Sequence, residues 1–198
     1  MNTSHEIGAV DPLELFDRWL REAEQAEPND SNAAALATAT PEGAPSVRMV
    51  LVKRVKTDRF CFFTNAESRK GRELEANRSV ALCFHWKSLR RQVRVEGVVH
   101  ELEAPIVDAY FRSRSRASQI GAAISEQSRI LKSREELEER VLRFTEVTPG
   151  EVPRPSYWRG FRVLPERIEF WISGADRLHD RFLFTRRGEE WEQVRLYP

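Results

Sequence analysis

Cysteine and methionine are nearly missing from this chain: each occurs twice in 198 residues. Cys61 and Cys83 both sit inside apolar, strand-like runs (60–63 and 80–84). They read as reduced, buried thiols of a cytoplasmic protein, and a disulfide framework is excluded. An excess of one charge is also absent, with 32 basic against 31 acidic residues. No global field draws the molecule to nucleic acid or membrane, so any recognition of an anion has to be local. No apolar run approaches the length that spans a bilayer. Residues 1–10 have neither the basic flank nor the apolar stretch of a signal peptide. They are expected to be a flexible N-terminus ahead of a single soluble domain over 11–198.

Motifs are missing too. The four histidines (His5, His85, His100, His179) lack ligand spacing, and no metal site is expected. There is no Gly-x-Ser-x-Gly, no Gly-x-Gly-x-x-Gly and no phosphate loop, which argues against a nucleophile elbow and a classical dinucleotide fold.

What is present is a regular series of short strands. Asp11-Pro12-Leu13-Glu14 is a helix start, with Asp as cap and Pro at the first helical position; the helix should end before Pro28. Strand-like runs follow at 33–40 and 46–53, joined by Pro41-Glu42-Gly43, then at 60–64, 80–86 and 92–102. Ser68 looks like the cap of a helix over roughly 69–76, Ala104-Pro105 opens another, and Ser133-Arg134-Glu135-Glu136 is a capping box whose helix buries Leu137, Val141 and Phe144. Closing strands are expected at 160–164, 167–172, 181–184 and 191–196. Eight or nine strands with few helices predict a mainly β fold, an antiparallel barrel with helices packed outside.

The residues suited to chemistry are cations set beside small polar groups. Arg48 and Lys53 bracket Met49, Val50, Leu51 and Val52; a solvated strand edge is the simpler reading of that pair alone. Arg69 and Lys70 open a helix at the end where cations are disfavoured, an anomaly that a bound phosphate would repair. Tyr110, Arg114 and Ser118 share one face if a single helix runs that far, and together they are good phosphate donors. Arg112, Arg114 and Arg116, separated by serines, also read as a fragment of an RNA-binding segment or as a solvated loop. Gln92, Gln127 and Ser128 add neutral polar groups. If 177–182 is extended, Arg177, His179 and Arg181 project to one side, toward water or toward an anion.

In order and spacing these stretches resemble the pyridoxamine 5′-phosphate oxidase family. The resemblance is carried by Arg48 to Lys53, Phe63-Thr64-Asn65 with Ser68-Arg69-Lys70, and Arg91-Gln92-Val93. It continues through Tyr110 to Gly121, Ser125 to Ser128, Gly150 to Ser156, Trp158 to Arg162, Glu169-Phe170-Trp171, and Arg177 to Arg181. It implies an FMN-binding split β-barrel and a homodimer with FMN in clefts at the subunit interface. The implied activity is oxidation of pyridoxamine and pyridoxine 5′-phosphates by O2 to pyridoxal 5′-phosphate, with release of H2O2. Arg48, Met49, Val50, Leu51, Val52, Lys53, Phe63, Thr64, Arg69, Lys70, Gln92, Gln127, Ser128, Trp171 and Arg181 are then the expected FMN contacts, with Arg69 and Lys70 at its phosphate. Lys53, Tyr110, Arg114 and Ser118 are the expected grip on the substrate phosphate. Arg177, Leu178 and His179 would lie over the substrate ring, Arg177 and His179 as the catalytic pair. The resemblance is incomplete at residues 1–10, which carry neither the Arg nor the Tyr of the N-terminal segment that can cover the family's active site, and at Phe63, Ser115, Ala117 and Ala123. Competing readings are a flavin oxidase of the phenazine-biosynthesis type, which would not need the four phosphate-gripping residues, and a non-catalytic flavin- or B6-vitamer-binding barrel.

Overall fold

A computed structural model describes Gly8 and residues 10–198. The expected flexible N-terminus lies largely outside the described residues, although Val10, which was counted in it, packs against the core. The chain runs α1 (Pro12–Ala26), β1 (Ala33–Ala39), β2 (Pro45–Leu51), β3 (Lys53–Val55), β4 (Asp58–Asn65), α2 (Arg69–Ala76), β5 (Ser79–Trp86) and β6 (Arg91–Glu101). Then come α3 (Ala104–Ser113), α4 (Arg116–Ile124), α5 (Arg134–Val147), β7 (Trp158–Ile172), a 3-10 turn at Ala175–Arg177, β8 (Asp180–Arg187) and β9 (Glu190–Leu196). The caps act as their chemistry requires. The carboxylate of Asp11 accepts from the Leu13 N–H, the Ser68 hydroxyl from Gly71 and the Ser133 hydroxyl from Glu136, filling donors a helix start leaves open.

The strands form one nine-stranded antiparallel sheet in the order β2-β1-β5-β6-β7-β4-β3, with β8 and β9 added beside β7. The edge strands β2 and β3 are separated in sequence by Val52 alone. The sheet therefore curls until its two edges meet at that residue, a barrel with a split. Asn32 holds the joint, its carbonyl accepting from the Val52 N–H and its side-chain amide donating to the Val52 carbonyl.

Inside the curl, alternate residues of the strands bury Leu36, Leu82, Phe84, Val93, Val95, Ile168 and Phe170 against Leu15, Phe16 and Trp19 of α1. A second, smaller cluster (Cys61, Leu102, Val107, Phe111, Ile120, Val152, Trp158) sits under α3, α4 and α5. Full burial of such side chains contributes roughly 1.5–3 kcal/mol each, so most of the fold's stability resides in the larger cluster. Helix α5 contributes no fully buried residue; Leu137, Val141 and Phe144 are only half-buried, a shallower stripe than the periodicity suggests. Cys83 is half-buried as well, on the outer face of the sheet, while Cys61 is fully buried and its thiol is pushed up to about 12 by desolvation and the nearby Asp58 carboxylate.

Two expected strands, 160–164 and 167–172, prove to be one. Strand β7 passes straight through Pro165, which stands opposite Gly97 at an irregularity in the β6 register. A bulge is where a strand tolerates a missing N–H. Among the described residues no helix is long and apolar enough to cross a membrane.

Candidate active site

A cleft of about 680 Å³ opens along the split of the barrel. One wall is Met49, Val50 and Leu51 of edge strand β2, continued by Lys53; the facing wall is the end of β4, with α3 and α4 above it. Met49 and Leu51 are exposed because their face of β2 has no covering layer. Two groups of cations with small polar partners project into this cleft.

The first group is built on α2. The Lys70 ammonium, on a residue only 8% exposed, donates to Thr64 Oγ1 at 3.1 Å and Gln127 Oε1 at 2.9 Å, and approaches Ser68 Oγ at 3.5 Å. All three partners are neutral, and no carboxylate pairs with Lys70 among the described residues. Burial, then the positive charge of Arg48, brings its amine down from 10.5 to about 8. A buried ammonium held only by neutral acceptors beside a second cation is a site that lacks an anion. The first turn of α2 lies hard against the β4–α2 link. A Cβ on Gly71 would stand 2.1 Å from the Ala66 carbonyl oxygen, so only glycine fits there. Arg69 reaches out of the turn and pairs with Glu73 at 2.9 Å.

The second group joins α3 and α4. Tyr110, Arg114 and Ser118 do line one wall, but not along a continuous helix. Helix α3 stops at Ser113, Arg114 is extended (ψ 155°), and Ser115 caps α4 by accepting from the Ser118 N–H. The carbonyls freed at this corner, those of Phe111, Arg112 and Arg114, all accept from the side-chain amide of Gln119. Phe63, Tyr110 and Trp158 form a parallel stack, with centroids 3.9 Å apart for Phe63–Tyr110 and 5.3 Å for Phe63–Trp158. The Arg114 guanidinium lies 5.1 Å from the centre of the Trp158 ring. Its Nη1 is buried and has no hydrogen-bond partner among the described residues, and burial lowers its proton affinity against the opposing influence of Tyr110. Burial raises the Tyr110 hydroxyl, with Arg114 opposing. The rest of the Arg-Ser segment has other tasks: Arg116 donates to the carbonyls of Thr148 and Gly150. The segment is therefore not a continuous basic surface.

Other expected contacts lie outside this cleft. Val52 is buried in the large cluster, with its main chain engaged by Asn32. The Arg48 guanidinium turns to Thr38 Oγ1 and Ser46 Oγ and stands 3.4 Å from Glu73. Ser128 follows Gln127 with a left-handed φ of 73°.

Gln92, Trp171 and Arg181 are register partners across β6, β7 and β8, so they form a row on one face of the sheet. That face also carries Met49 and the small side chains Ala35 and Cys83 in register with Arg94 and Glu169. The segment 177–179 is not extended. Residues 175–177 make a 3-10 turn with Asp176 and Arg177 at φ 52° and 63°, and the strand begins only at Asp180. The three cations therefore do not alternate along a strand. The His179 ring packs against Trp171, with centroids 4.6 Å apart and planes tilted by 45°, and its Nδ1 accepts from the Gly174 N–H. Leu178 is exposed. Arg181 is engaged by buried Glu169 (Nε–Oε1 2.8 Å) and donates to the Tyr197 carbonyl. Burial would raise the Glu169 carboxyl, but Arg181 and Arg94 outweigh it and hold it low.

Trp158, Asn65, Ser125 and Ser115 also border the cleft. Trp158 lay in a segment that carried the family resemblance, yet nothing in the spacing announces that it would lie under Arg114, 44 residues earlier in the chain.

Comparison with known proteins gives the family and the fold. Residues 20–148 match the family described as pyridoxamine 5′-phosphate oxidase, and residues 158–198 match the C-terminal dimerisation region of pyridoxine 5′-phosphate oxidase. A pyridoxine/pyridoxamine 5′-phosphate oxidase of Gluconobacter oxydans is 58% identical over 190 residues, 96% of this chain and 95% of the relative. The crystal structure of PhzG from Burkholderia lata, in complex with tetrahydrophenazine-1-carboxylic acid, superposes with a TM-score of 0.91 at 30% identity, over 100% of this chain and 98% of that one. A pyridoxamine 5′-phosphate oxidase-related, FMN-binding protein of Nostoc punctiforme shares the fold, with a TM-score of 0.77 at 15% identity, over 96% of this chain and 100% of that one.

Proposed function

The chain belongs to the pyridoxamine 5′-phosphate oxidase family, and from that premise we propose that it oxidises pyridoxamine 5′-phosphate and pyridoxine 5′-phosphate to pyridoxal 5′-phosphate, in the cytoplasm and as a homodimer. The observation that carries the reading is the pair of cations, Lys70 and Arg114, aimed into one cleft without a carboxylate partner among the described residues. Two phosphorylated molecules, a flavin mononucleotide and a phosphorylated vitamin, call for two such sites. The phenazine-type alternative is less favoured, because the 58%-identical relative is named for the vitamin oxidase.

The residues fit FMN. Lys70, Thr64 and Gln127, with Arg48 and Arg69 close by, suit its phosphate, and Met49, Val50 and Leu51 offer an apolar wall for a flat ring. When bound, FMN would supply the redox chemistry, removal of two electrons and two protons from the substrate at the carbon that bears the amine or alcohol, with O2 as the acceptor and H2O2 as its product. With the amine substrate, water enters and ammonia leaves. Arg114, Tyr110, Ser118 and Lys53 bind and orient the substrate phosphate. A second copy docked on the open sheet face, where Ala35 leaves room for close approach, would bring Gln92, Trp171 and Arg181 to the flavin, and Arg177, Leu178 and His179 to the substrate ring. Exclusion of water by the docked copy strengthens each of these contacts.

Purified protein should be yellow or become so on addition of FMN, and should form pyridoxal 5′-phosphate and H2O2 aerobically from either substrate. A colourless protein that takes up no FMN would sink the proposal, and a flavoprotein without turnover would leave only a binding role.

Lys70 adds a pH dependence. Its amine titrates near 8 in the free protein, and a bound phosphate favours the charged form. FMN affinity is therefore level between about pH 7, where its phosphate is already the dianion, and about pH 8, and falls by up to about tenfold per pH unit above that as Lys70 loses its proton. Riboflavin, which has no phosphate, should show no such fall. Flavin-fluorescence titrations across pH 8 test this; parallel profiles for the two ligands would remove Lys70 from the phosphate site.

A further inference from the structure

Helix α2 and edge strand β2 have no backbone ladder in common, because β2 pairs only with β1. What ties them together is one carboxylate. Glu73, 6% exposed, accepts from Thr38 Oγ1 at 2.5 Å and Ser46 Oγ at 2.5 Å on one oxygen, and from Arg69 Nε at 2.9 Å on the other. The two hydroxyls that donate to Glu73 in turn accept from the Arg48 guanidinium, whose Nη2 stands 3.4 Å from the carboxylate. Burial would raise the Glu73 carboxyl, but the hydrogen bonds from Ser46, Thr38 and Arg69 bring it down to about 2. It is thus an anion at any working pH. Arg48 comes from the sheet edge and Arg69 from the first turn of α2, next to Lys70. Three cations so close repel one another, and Arg48 acts on Lys70 strongly enough to ease its deprotonation.

We propose that Glu73 is a positioning residue for the flavin phosphate: through the Thr38 and Ser46 hydroxyls and the Arg69 side chain it sets Arg48 and Arg69 beside Lys70, so that the three cations converge on one dianion. The proposal rests on the reading that these cations receive the FMN phosphate. Glu73 itself touches neither flavin nor substrate.

The sign of the effect makes this testable. Removing a negative charge from beside three cations should, by Coulomb's law alone, strengthen the binding of a phosphate. Positioning predicts the reverse. In Glu73→Gln the amide cannot accept from all four donors, Arg48 and Arg69 separate, and the apoprotein is expected to bind FMN about tenfold more weakly, the loss of one charge-assisted hydrogen bond. Riboflavin affinity should change less than about twofold, because the ring contacts are intact. Fluorescence titration of apoprotein with both flavins gives the ratio. Unchanged or tighter FMN binding overturns the proposal, and so does an equal loss for both flavins, which is what a merely structural residue would cause. Thr38→Val keeps the charge count and cuts one link to Arg48. It should lower the FMN preference severalfold in the same direction, and it decides the matter if Glu73→Gln does not fold. Wild-type protein with no preference for FMN over riboflavin would instead overturn the phosphate site itself, a failure distinct from that of Glu73.

Discussion

Arg114→Ala is expected to raise KM for both phosphorylated substrates by about ten- to a hundredfold, because a charge-assisted hydrogen bond to phosphate contributes roughly 1.5–3 kcal/mol. The turnover number should stay within a few-fold, since the phosphate is remote from the carbon that is oxidised and its contact is the same in ground and transition states. FMN affinity should not change. The free protein is expected to lose little stability, because Arg114 carries a buried Nη1 without a partner and removing an unsatisfied donor offsets the lost contact with Trp158. Arg114→Lys should recover only part of the loss, a point charge replacing a planar fork that lies over an indole. Steady-state kinetics with each substrate, beside a melting curve, checks the set. An unaltered KM would take Arg114 out of the phosphate site.

The second large effect is expected at Gly174, which no ligand needs to touch. A Cβ there would lie 1.8 Å from the Leu178 carbonyl oxygen, a backbone atom that cannot swing aside. The N–H of Gly174 also holds His179 through its Nδ1. Gly174→Ala therefore has to open the turn that carries Arg177 and His179. Misplacing groups that orient a substrate by about 1 Å costs on the order of a hundredfold in rate, so kcat should fall by about that factor while FMN remains bound. Absorbance of the bound flavin and single-turnover reduction separate the two. Retention of full activity would show that Arg177 and His179 do not position the substrate.

These two residues also mark where the sequence can and cannot be read. Helix starts were legible because their signal is local: Asp11 before Pro12, Ser68 before Arg69 and Ser133 before Arg134 each cap within three residues. The strands were legible from β-branched and aromatic runs, and Lys70 from a cation in the wrong turn of a helix. Where the sequence misled, a long-range or backbone fact had prevailed over a local pattern. Pro165 interrupts a strand pattern, but its partner across the sheet is Gly97 at a register shift, so the strand continues. The spacing of Tyr110, Arg114 and Ser118 suits one helix, yet Ser115 is the better cap and breaks it. Alternating cations at 177–181 look like a strand, but left-handed backbone at Asp176 and Arg177 turns the chain first. The i,i+4 pair of Arg69 and Glu73 follows helix spacing, but no local rule reveals that Arg48 would join it, or that Arg181 would be met by Glu169. Counter-ions twelve or more residues away are found only in the fold.

The unequal sizes of the two hydrophobic clusters have a consequence for how the molecule opens. Native proteins open in parts before they unfold as a whole, and the parts with few buried contacts open at the lowest free energy. Here the Met49–Leu51 wall of the cleft belongs to the barrel, whereas Tyr110, Arg114 and Ser118 ride on α3 and α4 over the smaller cluster, beside an α5 that buries no residue fully. Amide protons of α5 should exchange with solvent first and those of β5 to β7 last. The wall that carries Tyr110, Arg114 and Ser118 is thus the more labile half of the cleft. Occupancy by a phosphorylated ligand should slow exchange there far more than in the barrel, because binding stabilises most the unit that opens most readily.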